Sequence, residues 1–450
     1  MYPSVTRCVA AFVASIAFWG TWTSPAVAAP DPMFDQQWAL SMPSAVGASE
    51  AWTQSFGDGV IVAVLDSGVQ LDHPDLQGNL WTNPGEIAGN GVDDDANGVI
   101  DDVHGANIVS GGGNVADDEG HGTHVAGIIA AGAGNGIGVV GLAPKARVMA
   151  VKVLDANRAG NASQLAQGIH YAVDEGARIL NVSLNGDATN DELDAAVRYA
   201  SQKGATIVAS AGNNGRDLDA RPSYPASSND PAVVSVTASD RASNLLGFAN
   251  RGLNSVDIAA PGAEILSTAT GSGYEFRAGT SMAAPYVAGT LALLAAARSD
   301  MSQTELRGAL LSSATRLRGL AGLLATGELN AGSAMHAVLP GRLWRVAPVA
   351  VAASAGPAAT TIRLRLRTGR AVRAGRRATL HWSARGTPKV SSWRVLFDGR
   401  RVATVAGDRA LVARKRVERA GTHRWKVVGS DAQGGRLASA TRNFKVLRRR

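Results

Sequence analysis

The stretch Val60-Ile-Val-Ala-Val-Leu65, followed by Asp66-Ser67-Gly68, decides the fold of this chain. An uninterrupted apolar run that ends in a carboxylate predicts a strand buried on both faces, as in a parallel sheet. Further short apolar segments alternate with helical patterns; the segments are 147–153, 179–184, 205–209 and 233–237, and the helical patterns are 121–132, 163–175, 190–203, 280–297 and 303–314. This alternation predicts an α/β fold, a doubly wound parallel sheet with helices on both faces.

Length and composition exclude several classes of protein. The chain has 450 residues, of which 45% are hydrophobic, and it has one Cys. This apolar fraction excludes a chain that is disordered throughout, and the single Cys excludes a fold held by disulfides. After the N-terminus we expect no apolar stretch of the ~18 residues that a membrane span needs, so a polytopic membrane protein is excluded.

The N-terminus has the pattern of an export signal. Arg7 supplies a positive charge, residues 8–22 are uncharged and mostly apolar, and Ala26-Val-Ala-Ala29 offers a cleavage site. We predict that residues 1–28 form a signal peptide whose removal leaves a secreted protein, extracellular or periplasmic, with no transmembrane span. An uncleaved membrane anchor is the alternative.

Charge divides the chain into two parts. Residues 341–450 hold 27 basic and 4 acidic residues, a net charge of +23, whereas residues 1–340 hold 17 basic and 33 acidic residues, a net charge of −16. A Pro/Ala/Gly-rich linker is predicted at 341–360, between a body at 29–340 and a basic domain at 361–450. Short alternating segments in the basic domain predict a small β-sandwich.

The basic domain has three possible roles. It docks on the acidic body, binds an anionic cell-envelope polymer, or is merely a solvated domain. No nucleic-acid partner is expected, because no recognised nucleic-acid module accompanies the charge and the predicted export argues against one.

Three segments carry side chains that together suggest nucleophilic catalysis. Asp66 follows the first strand, at the sheet edge where open α/β sheets form active sites. His121 begins the motif His121-Gly-Thr-His, and Ser281 lies in Gly279-Thr-Ser-Met-Ala-Ala-Pro285. A serine hydroxyl needs a base to remove its proton, so His121 is the candidate base and Asp66 the candidate group that orients it. Taken singly, each of them is more simply an ordinary cap or strand-end residue.

In their order and local motifs these segments resemble the subtilisin-like serine proteases. The resemblance covers about residues 34–335, so that 29–340 would be a protease domain, and it includes Ser210-Ala-Gly-Asn213 and Asn181-Val-Ser-Leu184. It implies a secreted serine endopeptidase that cleaves protein or peptide substrates through an acyl-enzyme. The alternative is a catalytically silent protein that binds a surface through its basic domain.

The same resemblance implies further site residues. The Asn213 side chain and the Ser281 backbone N–H would donate to the oxyanion, although the neighbouring Asn214-Gly215 also makes Asn213 a candidate turn residue. The family often has Gly where Asn185 stands, so a pocket of a different shape is expected beside this residue. The implied substrate-binding residues are Ser183, Leu184, Asn185, Gly186, Ser210, Ala211 and Gly212.

An acidic loop at residues 90–102 suggests a structural calcium site. Its pattern Asp93-x-Asp95-x-Asn97-Gly98 matches the first six positions of an EF-hand loop, but His104 stands where the twelfth position needs Glu. So many carboxylates in a short loop repel one another unless a hard cation neutralises them; a solvated acidic turn is the alternative. The candidate ligands are Asp93, Asp95, Asn97, Val99 and Asp101.

The resemblance also implies a second calcium site. Asp75 and Asn135 match the family's ligands, and Gln36 or Gln37 would supply the N-terminal one by a loose alignment. The backbone carbonyls of Ala133, Ile137 and Val139 would complete the site. A turn-capping role for Asp75 is the alternative.

Overall fold

A computed structural model describes residues 31–340 and a set of strands beyond them. These strands lie within 363–368, 371–373, 377–385, 392–397, 400–406, 412–416, 421–430 and 436–447. The predicted signal peptide and linker lie outside the described residues. The chain divides into two compact units, residues 1–351 and 352–450.

A six-stranded parallel sheet forms the centre of the first unit. Its strands are β1 (Ile61–Asp66), β2 (Arg147–Lys152), β3 (Ile179–Val182), β4 (Thr206–Ser210), β5 (Val233–Ser239) and β6 (Ile258–Pro261). Their order across the sheet is β2-β1-β3-β4-β5-β6, and every neighbouring pair is parallel. The sequence pattern predicts five of these strands and misses β6.

Helices alternate with the strands along the chain. They are α1 (Trp38–Ser41), α2 (Ala48–Ala51), α3 (His121–Ala130), α4 (Ala162–Asp174), α5 (Asp191–Gln202), α6 (Thr280–Ala297), α7 (Gln303–Ser312) and α8 (Ala331–Val338). The long helical patterns are therefore confirmed, with ends that differ by at most two residues. An antiparallel hairpin, β7 (Ile265–Ala269) and β8 (Gly273–Arg277), precedes α6.

Successive residues of β1 pack into different cores. Val62 and Val64 pack with Ile128 of α3 and Val287 of α6. Ala63 and Leu65 instead belong to the core that α4 and α5 complete. Because side chains of a strand alternate between its two faces, helices cover both sides of the sheet, and the doubly wound fold is confirmed.

Helix α6 is long and apolar enough to cross a membrane by length and composition alone. The expectation that no apolar stretch after the N-terminus is long enough to span a membrane is therefore wrong for α6. However, 83% of it is buried inside the protein, which is the pattern of a core helix.

The second unit is described by its strands. They are β9 (Arg363–Thr368), β10 (Ala371–Arg373), β11 (Arg377–Arg385), β12 (Ser392–Phe397), β13 (Arg400–Ala406), β14 (Val412–Arg416), β15 (Gly421–Ser430) and β16 (Arg436–Leu447). These strands form one sheet in the order β10-β16-β15-β12-β13 and another in the order β14-β11-β9. The β-sandwich remains a prediction.

Candidate active site

The end of β1 and the start of α3 bring Asp66 and His121 together. His121 Nδ1 lies 2.8 and 2.9 Å from the two carboxylate oxygens of Asp66, which is fully buried. The Ser67 backbone N–H also donates to Asp66 Oδ1, at 2.7 Å. A carboxylate on Nδ1 holds the proton at that nitrogen and leaves Nε2 as the acceptor. Gly122 permits this approach, since a Cβ there would lie 2.1 Å from the Gly68 carbonyl oxygen.

Ser281 lies in the first turn of α6 and shares a cleft with His121. Its hydroxyl donates to the Ser183 carbonyl at 3.1 Å, and the Ser183 hydroxyl donates to the Ser281 carbonyl at 2.9 Å. Within residues 31–340 no hydrogen bond joins Ser281 Oγ to His121. Catalytic hydrogen bonds are often long before substrate binds, and rotation of one side chain would redirect this hydroxyl.

Asn213 contacts the residue that precedes Ser281. Its Oδ1 accepts from the Thr280 N–H at 2.9 Å and from the Thr280 hydroxyl at 3.2 Å. The oxygen of the amide therefore caps the N-terminus of α6, and Nδ2 remains as its donor. Asn213 is exposed, so this donor is accessible to a ligand.

The cleft has a volume of about 280 Å³. Of the predicted substrate-binding residues, Ser183, Leu184, Asn185 and Gly186 line it. Ser210 and Ala211 are buried at the end of β4 and do not line it. Sequence reasoning also misses several lining residues, because their contribution depends on how loops pack rather than on a local motif; these are Leu154, Arg158, Asn161, Leu165 and Leu193.

One wall of the cleft is shaped by two loops. Asn185 Nδ2 donates to Ser223 Oγ at 2.7 Å, and Tyr224, which follows Ser223, lines the cleft. The peptide bond between Tyr224 and Pro225 is cis. The Asn185 side chain therefore holds the Ser183–Gly186 segment against this second loop.

A second histidine on α3, His124, is fully buried behind the site. Its Nε2 lies 3.1 Å from the Glu275 carbonyl oxygen, and burial lowers its pKa to about 3. His124 is therefore neutral at physiological pH and is fixed by its surroundings.

The residues of the implied calcium site also meet in space. Asp75, which is 2% exposed, accepts from the Asn135 side chain at 2.7 Å and from the Val139 N–H at 2.9 Å. Sequence reasoning misses Asp31, whose carboxylate accepts from Gly134 and Gly136 of the same loop. Gln37 instead exchanges two hydrogen bonds with the Val140 backbone.

These carboxylates have no cationic partner within residues 31–340, where no ion pair involves Asp31 or Asp75. Burial raises the pKa of Asp75, and the charge of Asp31 adds to that shift. The fully buried Val139 also leaves its carbonyl without a hydrogen-bond donor in this part of the chain. Two carboxylates without a cationic partner and a free backbone carbonyl are the kinds of ligand that Ca²⁺ prefers, so these residues fit the ion.

The acidic loop is arranged differently from an EF-hand. Asp95 lies with Glu86 and Asp102 in a cluster whose carboxylate oxygens are within 4.8 Å of one another, and Glu86 Oε2 is buried without a partner. Asp93 instead accepts from the Asn97 and Gly98 backbone, and Asp101 accepts from the Gly89, Asn90 and Gly91 backbone. Sequence reasoning misses Glu86 and Asp102, which lie outside the matched pattern.

The chain matches known proteins over the first unit. The model of the subtilase family matches residues 57–330. Thermitase from Thermoactinomyces vulgaris is 37% identical over 295 residues, which are 65% of this chain and 95% of thermitase. Subtilisin Savinase from Lederbergia lenta is 38% identical over 278 residues, which are 62% of this chain and 91% of that protein.

A solved structure of a protease from Pseudoalteromonas arctica PAMC 21717 has the same fold. It is 29% identical, with a TM-score of 0.58, and the match covers 69% of this chain and 100% of that chain. The family match covers more than half of the chain, and the resemblance and the α/β fold predicted from the motifs are thereby confirmed. This chain belongs to the subtilase family and is a serine endopeptidase.

Proposed function

We propose that the chain hydrolyses peptide bonds through an acyl-enzyme formed on Ser281, with His121 as the general base and Asp66 as its orienting group. The observation that carries this proposal is the contact between His121 Nδ1 and the buried Asp66 carboxylate, in a cleft that Ser281 also lines. Because the enzyme belongs to the subtilases, the catalytically silent alternative is not retained.

The reaction begins when Ser281 Oγ leaves the Ser183 carbonyl and turns toward His121. His121 Nε2 takes the hydroxyl proton while Oγ bonds to the substrate carbonyl carbon, and Asp66 stabilises the imidazolium that results. His121 then gives the proton to the leaving amine as the C–N bond breaks. Water then attacks the ester of the acyl-enzyme with the same proton transfers through His121, which frees Ser281 and releases the carboxylate of the cleaved substrate.

Two donors would stabilise the oxyanion. Asn213 Nδ2 is accessible because Thr280 occupies only the oxygen of the amide. The Ser281 backbone N–H lies at the N-terminus of α6, where the helix dipole favours negative charge. The segment Ser183–Gly186 would lie beside the substrate on the acyl side of the cleft.

The test of this function is hydrolysis of an unfolded protein by the purified chain. We expect hydrolysis that a serine-directed fluorophosphonate stops. A chain that retains its activity after stoichiometric treatment would contradict the proposal.

We also propose that Ca²⁺ stabilises two loops without taking part in the chemistry. Asp75, Asn135 and the carbonyls of the 133–139 loop would hold one ion, with Asp31 as an added carboxylate. Asp95 and its cluster partners Glu86 and Asp102 would hold the other. When bound, the ions neutralise carboxylates that otherwise repel one another.

Chelation tests the calcium proposal. An ion that binds only the native state adds about 2.7 kcal/mol at a concentration of 100 times Kd, so we expect a chelator that removes both ions to lower the melting temperature by roughly 10 °C. Asp75→Ala combined with Asp95→Ala should abolish this response, whereas Asp58→Ala should keep it, because Asp58 is exposed and pairs with Lys145. Identical melting of the wild type in chelator and in calcium would show that neither ion binds.

For the second unit we propose binding to an anionic cell-envelope polymer after export, since residues 352–450 hold 25 basic and 4 acidic residues, a net charge of +21. Docking on the acidic body is the alternative. Charges are screened beyond about 8 Å at physiological ionic strength, so binding to a purified anionic envelope polymer should weaken steeply as salt rises. A chain truncated after residue 340 is the control, and equal retention of both chains at low salt would contradict the proposal.

A further inference from the structure

A buried lysine lies beside the catalytic aspartate. Lys152 is 5% exposed at the end of β2, where it is the register partner of Asp66 in β1. Its Nζ donates to the Ser67 carbonyl and to Asp118, each at 2.6 Å. Because register partners on neighbouring strands project from the same face, the ammonium group and the Asp66 carboxylate leave the sheet on one side.

Ser67 connects this lysine to both members of the catalytic pair. Its N–H donates to Asp66 Oδ1, and its hydroxyl donates to Asp117 at 2.8 Å while accepting from the Gly122 N–H at 3.0 Å. Gly122 directly follows His121 on α3. One residue therefore ties the end of β1 to the start of the helix that carries the histidine.

Asp117 extends the connection along the same helix. It accepts from the Thr123 N–H and hydroxyl with one oxygen, and from the Glu119 and Gly120 N–H groups with the other. These hydrogen bonds lower the pKa of Asp117 against the opposing effect of its burial. The loop that precedes His121 is thus held by hydrogen bonds to an ionised Asp117 carboxylate.

We propose that Lys152 and Asp118, acting through Ser67, form a positioning unit that holds the Asp66–His121 pair and sets the pH at which His121 loses its proton. The proposal rests on the proposed function of that pair. Lys152 is buried and Asp118 is half-exposed, so desolvation of the ammonium group offsets much of the attraction within this ion pair. A role at the adjacent site therefore accounts for the pair better than stability does.

Lys152 and Asp118 carry opposite charges and therefore have opposite effects on the protonation of His121. The Lys152 charge disfavours the imidazolium form of His121, and the Asp118 charge favours it. At an effective dielectric constant of about 20, a unit charge roughly 10 Å away shifts a pKa by about one unit. The other charged or titratable groups that surround the pair are Asp66, Asp117, Glu119, His124, Asp155, Arg158, Glu275 and Arg277.

The test is the titration of the His121 imidazole by NMR in a Ser281→Ala background, which needs no catalysis. Lys152→Met should raise the pKa of His121, Asp118→Asn should lower it, each by about 0.5–1 unit, and the double variant should return it close to the starting value. Asp58→Asn removes a comparable charge from an exposed pair near the opposite end of β1 and should change nothing.

In the active enzyme, the acid limb of the pH profile of kcat/KM should move to higher pH in Lys152→Met and to lower pH in Asp118→Asn. A purely structural role would lower kcat without these opposite shifts, so unchanged titrations, or shifts of the same sign, would overturn the proposal. Asp118 is half-exposed, so Asp118→Asn keeps the test open if Lys152→Met fails to fold. If the wild type does not hydrolyse protein, the proposed function fails, whereas normal hydrolysis with unmoved titrations removes the positioning unit alone.

Discussion

Ser281→Ala is expected to lower kcat on the order of 10⁶-fold, the loss known for the equivalent change in subtilisin. Without Oγ no acyl-enzyme forms, and the base and oxyanion donors have no nucleophile to assist. The fold should persist, because within residues 31–340 the hydroxyl makes a single hydrogen bond, to the Ser183 carbonyl, at the edge of the cleft. Single-turnover hydrolysis of a fluorogenic peptide measures this loss.

Ser235→Ala is the matched control for that variant. Ser235 is 1% exposed on β5, and its hydroxyl has no hydrogen-bond partner in the described part of the chain. We expect wild-type turnover from it. A Ser281→Ala enzyme with more than about a tenth of wild-type kcat would exclude Ser281 as the nucleophile.

Asn213→Ala is expected to lower kcat about 100–1,000-fold with little change in KM, because the oxyanion exists only after attack. Removal of the side chain also removes the cap on the Thr280 N–H, so this variant alone does not separate the two roles. Asn213→Asp separates them. It keeps an oxygen for Thr280 but replaces the Nδ2 donor with a second acceptor that repels an oxyanion.

Both Asn213 variants should therefore lose turnover, and Asn213→Asp should lose at least as much as Asn213→Ala. If Asn213→Asp retains wild-type kcat while Asn213→Ala does not, the residue acts as a helix cap and the oxyanion role is wrong. Steady-state kinetics on one peptide, with melting temperatures for each variant, distinguish these results.

Local patterns predict the parts of this protein that depend on neighbouring residues. The apolar run before Asp66 predicts β1, and Ser302-x-x-Glu305 predicts the capping box that opens α7. The motifs around His121 and Ser281 place both at helix starts, where the structure has them. These features hold because each is decided within one turn or one strand.

Features that depend on distant packing escape sequence reasoning. In the sequence, nothing distinguishes Lys152 from any other lysine at the end of a strand. Only the pairing of β2 with β1 brings it beside Asp66. Asp95 matches an EF-hand position, yet its carboxylate meets Glu86 and Asp102 because the loop turns back on itself. Asp31 accepts hydrogen bonds from Gly134 and Gly136 in the 133–139 loop, although it lies about 100 residues away from them in sequence.

The most direct test of the central claim is the mass of the protein after reaction with a fluorophosphonate probe. Folded wild-type protein should gain one probe adduct, and peptide mapping should place it on Ser281. Ser281→Ala should gain none, and wild type unfolded in denaturant should gain none either, because activation needs His121 and Asp66 in place. An adduct on another residue, or equal labelling of the folded wild type and Ser281→Ala, would contradict catalysis by this triad.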